Sequence, residues 1–150
     1  AAVRLSLLQL WSNVWMNIAP SRLSEIEVQQ QLCDVQVEVH CTEMVTALTH
    51  ILDNALKAQP TSIRLHCERQ TKERVVVVIE DNGHGISAEV LSRIFDPFFT
   101  TKRSEGNSGL GAHIVYNLVT AQLNGSIYAS SEPGQGLYYR ILLPQLRRPD

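Results

Sequence analysis

A chain of 150 residues, 44% of them apolar and 19% charged, has enough hydrophobic material for one globular domain with a buried core. Its formal net charge of -2, with no run of Lys or Arg longer than two, excludes the electrostatic footprint of a nucleic-acid or anionic-membrane binder. The longest unbroken apolar run, Val75 to Ile79, is far short of the ~20 residues a membrane-spanning helix needs, and no signal-peptide pattern opens the chain.

In chain order, Leu8, Trp11, Trp15 and Ile18 recur at spacings of three and four and predict a helix that Pro20 ends. Two destinations suit that apolar stripe. It folds back on its own domain, or it packs on a helix or coiled coil from sequence upstream, since the opening at Ala1 on helical sequence suggests a piece of a longer protein. The domain boundaries expected are therefore residues 1–24 as a helix and linker from an upstream dimerisation region, 25–146 as the folded domain and 147–150 as a tail.

"SEIEVQQQ" and "VQVEVH" alternate as half-buried strands do, and the apolar positions Met44, Leu48, Ile51, Leu52, Ala55 and Leu56 then mark a helix over 43–58 that Gln59-Pro60 stops. "SIRLHCE" alternates again, whereas "VVVVIE" is apolar on both faces and predicts a central strand. Ser87 to Phe95 reads as a helix capped by Ser87. Asp96 to Ser108 has no apolar period and reads as a long loop, a common form for a functional lid. Leu110 to Leu123 is a further helix closed by Asn124-Gly125, and "SIYASSEPGQGLYYRILLP" reads as two strands joined through Pro133, Gly134 and Gly136. Strands separated by helices, with a closing hairpin, predict an α/β two-layer sandwich on a mixed sheet. Three cysteines, Cys33, Cys41 and Cys67, without a CxxC pair, predict reduced cytosolic thiols in place of a disulfide framework or zinc site.

Three clusters carry chemistry. In "EDNGHGI", Asp81 follows the central strand, where ligand sites of open α/β sheets gather, and its carboxylate can accept from an exocyclic amine such as the N6 of adenine. Gly83 and Gly85 would let the backbone pass close to a flat ring, although the same residues also suit a structural turn. In "GNSGLGAH", glycines entering a helix would present backbone N–H groups to phosphate, with a flexible hinge as the alternative. In "HILDNALKA", Asn54 offers a neutral oxygen suited to Mg²⁺ and Lys57, three residues on, a cation for phosphate, although an Asn and a Lys on one helix also make an ordinary solvated face.

Taken in order, these clusters resemble the four boxes of sensor histidine kinases within the wider family of gyrase, heat-shock chaperone, histidine kinase and mismatch-repair ATPases. "HILDNALKA" is similar to the N box, "DNGHGI" to the first glycine box, "FDPFFTTK" to the F box and "GNSGLGAHIV" to the second glycine box. The resemblance implies a Bergerat-type ATP-binding fold, in which three helices cover one face of the sheet and a long lid closes over ATP. It also implies a set of ATP contacts: Asn54, Lys57, Ala58, Asp81, Gly83, Gly85 and Ile86 from the first two boxes, Phe98, Thr100, Thr101 and Lys102 from the lid, and Ser108, Gly109, Leu110, Gly111 and Ala112 around the triphosphate. Asn54, Lys57 and Lys102 would act in the chemistry, with Asn54 on Mg²⁺. Ala112 departs from the family, which commonly has a larger aliphatic residue there.

Hydrolysing members of the family carry a Glu four residues before the box Asn, and here that position is His50. That departure favours a kinase, which would transfer the ATP γ-phosphoryl group to a histidine on a separate dimerisation domain. None of His40, His50, His66, His84 and His113 lies in an "H[ED]xxxP" context, so the phosphoacceptor is expected outside this chain. The partners implied are that dimerisation domain and a downstream response regulator, with neither nucleic acid nor direct membrane contact, in a cytoplasmic domain of a parent protein compatible with inner-membrane anchoring. The alternatives are an ATP-hydrolysing member of the family and a nucleotide-sensing interaction module without catalysis.

Overall fold

The computed structural model describes residues 2–96, 110–131 and 134–144. The element order is β1 (Val3–Ser6), α1 (Leu7–Trp15), a 3₁₀ turn (Pro20–Leu23), β2 (Glu27–Gln31), β3 (Gln36–Val39), α2 (Cys41–Lys57), β4 (Ser62–Arg69), β5 (Arg74–Asp81), α3 (Ala88–Leu91), α4 (Leu110–Asn117), a π-helical turn (Leu118–Gln122), β6 (Ser126–Ser131) and β7 (Leu137–Pro144). β1 and β3 form a small antiparallel pair, and the main sheet has the order β2-β4-β5-β7-β6. Its β2–β4 pairing is parallel and the others are antiparallel, so the sheet is mixed.

Alternation decides which side of the sheet is covered. Ile63, Leu65 and Cys67 of β4, Val75, Val77 and Ile79 of β5, and Tyr139, Ile141 and Leu143 of β7 point into one core with residues of α1, α2 and α4. β5 is buried on both faces, as its unbroken apolar run predicted, because it sits between β4 and β7 in the middle of the sheet. β2, in contrast, is an edge strand whose five residues all stay exposed, where alternation predicted half-burial.

α1 belongs to this core. Ser6 and Gln9 form a reciprocal capping box at its start, each side chain bonded to the other's backbone N–H at 3.1 Å. Leu7, Leu10, Trp11 and Val14 are buried, and the Trp15 indole donates to Gln30 at 2.8 Å. Of the stripe expected, Trp11 and Ile18 are buried, Trp15 is partly buried and Leu8 is 47% exposed, so α1 packs on this domain through a face turned one residue from that stripe. β1, four residues long, had no signature in the sequence.

α2 buries Met44, Ala47, Leu48, Ile51, Leu52 and Ala55, and ends where Gln59 turns to φ 56° ahead of Pro60. The helix expected over 87–95 is a single turn, Ala88–Leu91, with Ser87 capping through Val90 N–H. The one expected over 110–123 is α-helical to Asn117 and then widens into the π turn. The expectation of reduced thiols is overturned: Cys33 and Cys67 form a disulfide, with Cα atoms 5.7 Å apart, while Cys41 is free. Parallel pairing sets Gln31 opposite His66, which brings the turn after β2 beside Cys67 from 34 residues away. Among the described residues no helix is long and apolar enough to cross a membrane.

Candidate functional site

Asp81 closes β5 on the helix-facing side, in register with Ile63. Its carboxylate accepts from the backbone N–H of Gly83 at 2.8 Å and lies close enough to the amide of Leu137, at the start of β7, for that amide to favour its ionised form. Burial pushes the Asp81 carboxyl above its ordinary value, against the lowering pull of those two amides and of His84. Tyr139, fully buried nearby, has its hydroxyl pushed up by burial and further by the negative charge of Asp81.

The turn after Asp81 is pinned on the side of α2. A Cβ on Gly83 would lie 2.6 Å from the Ala58 carbonyl oxygen and 2.9 Å from the Ala58 Cβ, so only glycine fits there without a shift. The His84 N–H donates to the same Ala58 carbonyl at 3.2 Å. Asn82 is a tie as well. Its Oδ1 accepts from Thr61 N–H and Ser62 N–H, both at 2.8 Å, and its Nδ2 donates to the Thr61 hydroxyl at 2.7 Å. Gly85 takes φ 69°, a left-handed conformation that side chains other than glycine rarely adopt.

Asn54 and Lys57 are exposed on α2, and His50 is exposed one turn before Asn54. Lys57 pairs with Asp53 at 3.1 Å, and Asp53 also accepts from Arg22 at 2.6 Å. Burial pushes the Asp53 carboxyl up, but the hydrogen bonds and charges of Arg22 and Lys57 outweigh it and hold the group below its ordinary value. Lys57 is therefore a cation paired with a carboxylate of its own helix, one turn back.

Beyond the second turn, the His113 ring bonds the Phe95 carbonyl at 3.1 Å through Nδ1 and contacts Asn117 at 3.2 Å through Nε2, and the rings of Phe95 and Tyr116 stack at 5.3 Å. These contacts tie the start of the "FDPFF" segment to α4. The backbone of Leu110, Gly111 and Ala112 forms the first turn of α4. Phe98, Thr100, Thr101, Lys102, Ser108 and Gly109 lie outside the described residues.

A family model described as histidine kinase-, DNA gyrase B-, and HSP90-like ATPase matches residues 40–147, which is most of the chain and includes every part of this site. The chain belongs to this family. Relatives of this ATPase domain are sensor kinases: it is 34% identical over 122 residues to the alginate biosynthesis sensor protein KinB of Pseudomonas aeruginosa, covering 80% of this chain and 20% of that protein. It is 49% identical over 72 residues to the sensor kinase CckA of Brucella abortus, covering 48% of this chain and 8% of that protein. The domain thus spans a fifth or less of these curated relatives. Its fold is similar to that of the mycobacterial sensor histidine kinase MprB, with a TM-score of 0.84 at 22% identity over 99% of this chain and 100% of that one. It is similar also to ShkA, solved full-length in complex with AMPPNP, with a TM-score of 0.80 at 21% identity over 100% of this chain and 32% of that one.

The structure brings Ala58, Asp81, Gly83 and Gly85 of the predicted set together, with Ile86 bonded to the neighbouring hairpin and Asn54 and Lys57 on the adjoining helix. Sequence reasoning missed the contribution of the β6–β7 hairpin. Its "SEPGQG" was legible as a turn, but the packing of Gly136 against the Asp81 carbonyl and the bond from Ile86 to Ser131 arise only when the hairpin meets the glycine turn.

Proposed function

We propose that this domain binds ATP and supplies its γ-phosphoryl group to a histidine on a separate dimerisation domain of a two-component sensor kinase. The observation that carries the assignment is the Asp81 carboxylate, held at the end of β5 by the Gly83 amide beside a glycine turn that only glycine fills. That amide orients the carboxylate, and its remaining acceptor capacity suits the exocyclic amine of adenine.

Asn54 and Lys57 would serve the phosphates. Among the described residues no cluster of three or more His, Cys, Asp or Glu could hold a metal. A Mg²⁺ here would therefore take one neutral oxygen from Asn54 and complete its shell with water and phosphate, a donor set that suits this ion. When bound, the ion would neutralise charge on the phosphates. Lys57 would add a second positive charge, moving from Asp53 to a phosphate oxygen. Lys102, the remaining lid contacts and the cradle of Ser108, Gly109, Leu110, Gly111 and Ala112 complete the proposed set.

The partners follow from this assignment: a dimerisation domain that carries the phosphoacceptor histidine, and a response regulator that receives the phosphoryl group. The compartment proposed is the cytoplasm.

Calorimetric titration of MgATP into the chain and its Asp81→Asn variant tests the base contact. Loss of the carboxylate should weaken binding by about 1–3 kcal/mol, and equal affinities would remove Asp81 from the site. Phosphotransfer to a supplied histidine-bearing domain, without label retained on this chain alone, tests the kinase assignment. The hydrolase alternative rests on His50, exposed one turn before Asn54. Steady ATP hydrolysis by the chain that His50→Ala abolishes would establish that alternative in place of the kinase.

A further inference from the structure

The turn after Asp81 is tied to β4 through Asn82 and to α2 through His84, and a third tie comes from a residue that no ATP-site motif contains. The Ser131 hydroxyl, at the end of β6, accepts from the backbone N–H of Ile86 at 2.9 Å and donates to the carbonyl of Gly136 at 2.7 Å. Gly134 N–H donates to the His84 carbonyl at 2.6 Å. Gly136 is buried at φ 90°, so close that a Cβ there would collide with the Asp81 carbonyl oxygen. Leu137, the next residue, is the one whose amide favours the ionised form of the Asp81 carboxylate.

One hydroxyl therefore spans both sides of the junction. A serine oxygen can donate its single proton and accept in the same moment, so Ser131 joins the glycine turn to the hairpin that carries the Leu137 amide. Alanine can do neither, cysteine does both weakly, and threonine keeps the full chemistry. Ser131 lies 45 residues from Ile86 in the chain, so the junction is tertiary and not a local turn.

The geometry points to Ser131 as a positioning residue for base recognition: it locks the β6–β7 hairpin to the turn at Gly83–Ile86 and so aims the Asp81 carboxylate at the adenine amine. Ser131 acts through the glycine turn and the Gly136 backbone packed against Asp81, without itself touching the base. The inference rests on the proposed role of Asp81. It predicts a selective effect. Losing the lock should weaken the contribution of the exocyclic amine and spare the part of the affinity that Asn54 and Lys57 supply to the phosphates.

Titration of the full chain with MgATP and with the magnesium complex of purine riboside triphosphate, which lacks the exocyclic amine, separates these contributions. Wild type should bind MgATP roughly 10–150-fold more tightly than the amine-free analogue, the span expected of a hydrogen bond to a charged acceptor. Ser131→Ala should reduce that ratio at least about threefold, and Ser131→Thr should restore it. Ser131→Cys, close in volume to serine, carries the same comparison if the alanine variant does not fold, and should likewise lower the ratio. A purely structural role would weaken both nucleotides equally, and an unchanged ratio in the folded alanine or cysteine variant overturns the inference. A wild-type ratio near one would instead remove the Asp81 contact on which it rests, a failure distinguishable from the first.

Discussion

Substituting Gly83 by alanine tests whether the end of α2 and the base-recognition turn are packed as closely as the structure has them. The new Cβ would sit 2.6 Å from the Ala58 carbonyl oxygen, 2.9 Å from the Ala58 Cβ and 3.0 Å from the Asp81 Oδ1. The closest of these falls about 0.8 Å inside ordinary van der Waals contact, and two of the three opposing atoms belong to a helix end and its carbonyl, which cannot swing away like a long side chain. The same Ala58 carbonyl accepts from His84, so relieving the clash also stretches that bond. Overpacking of this kind costs roughly 1–3 kcal/mol. For a domain of this size that corresponds to a fall in Tm of about 2–12 °C. Because Asp81 Oδ1 is among the crowded atoms, MgATP affinity should fall alongside. Thermal unfolding with and without MgATP measures both effects. A Gly83→Ala protein with unchanged Tm and unchanged affinity would refute the close approach of Ala58 and the turn.

Trp11 is 1% exposed within the shared core, so Trp11→Ala should destabilise the domain by about 3–5 kcal/mol in chemical denaturation; a change under about 1 kcal/mol would return α1 to the role of a linker from upstream. pH acts on the site in two opposite directions. Burial raises the Asp81 carboxyl, so MgATP affinity, which needs the ionised acceptor, should be full above that raised value and fall as pH drops through it. Stability of the nucleotide-free domain has the reverse sign: the contribution of Asp81 is present below its unfolded value and lost as pH rises through the folded one. Asp81→Asn should remove both dependences, as paired titrations and melts across pH 4 to 7 would reveal, and a variant with the wild-type pH profile would assign them to another group.

Local chemistry in the sequence determined the elements that stand on their own. Five consecutive apolar residues from Val75 predicted a central strand because burial on both faces leaves no polar position, and β5 is that strand. The stripe from Met44 to Ala55 predicted α2 because 3.6-residue periodicity puts those side chains on one face. The four boxes, in order, carried the family before any contact was known. Tertiary pairing decided the rest. Whether α1 covered its own domain or an upstream partner depended on a core that only the assembled sheet presents, and β1 owes its existence to β3 across the intervening helix. Cys33 meets Cys67 because β2 runs parallel to β4, a pairing that spacing between cysteines does not encode. Asp81 was visible as an acceptor from its place after a strand, but what surrounds it was not: Gly136 packs against its carbonyl, and Ser131 reaches Ile86, because the closing hairpin folds back on the glycine turn. Periodicity reports which face of an element is apolar, whereas the aim of a carboxylate depends on hydrogen bonds between segments distant in the chain, and those form only when the sheet closes around them.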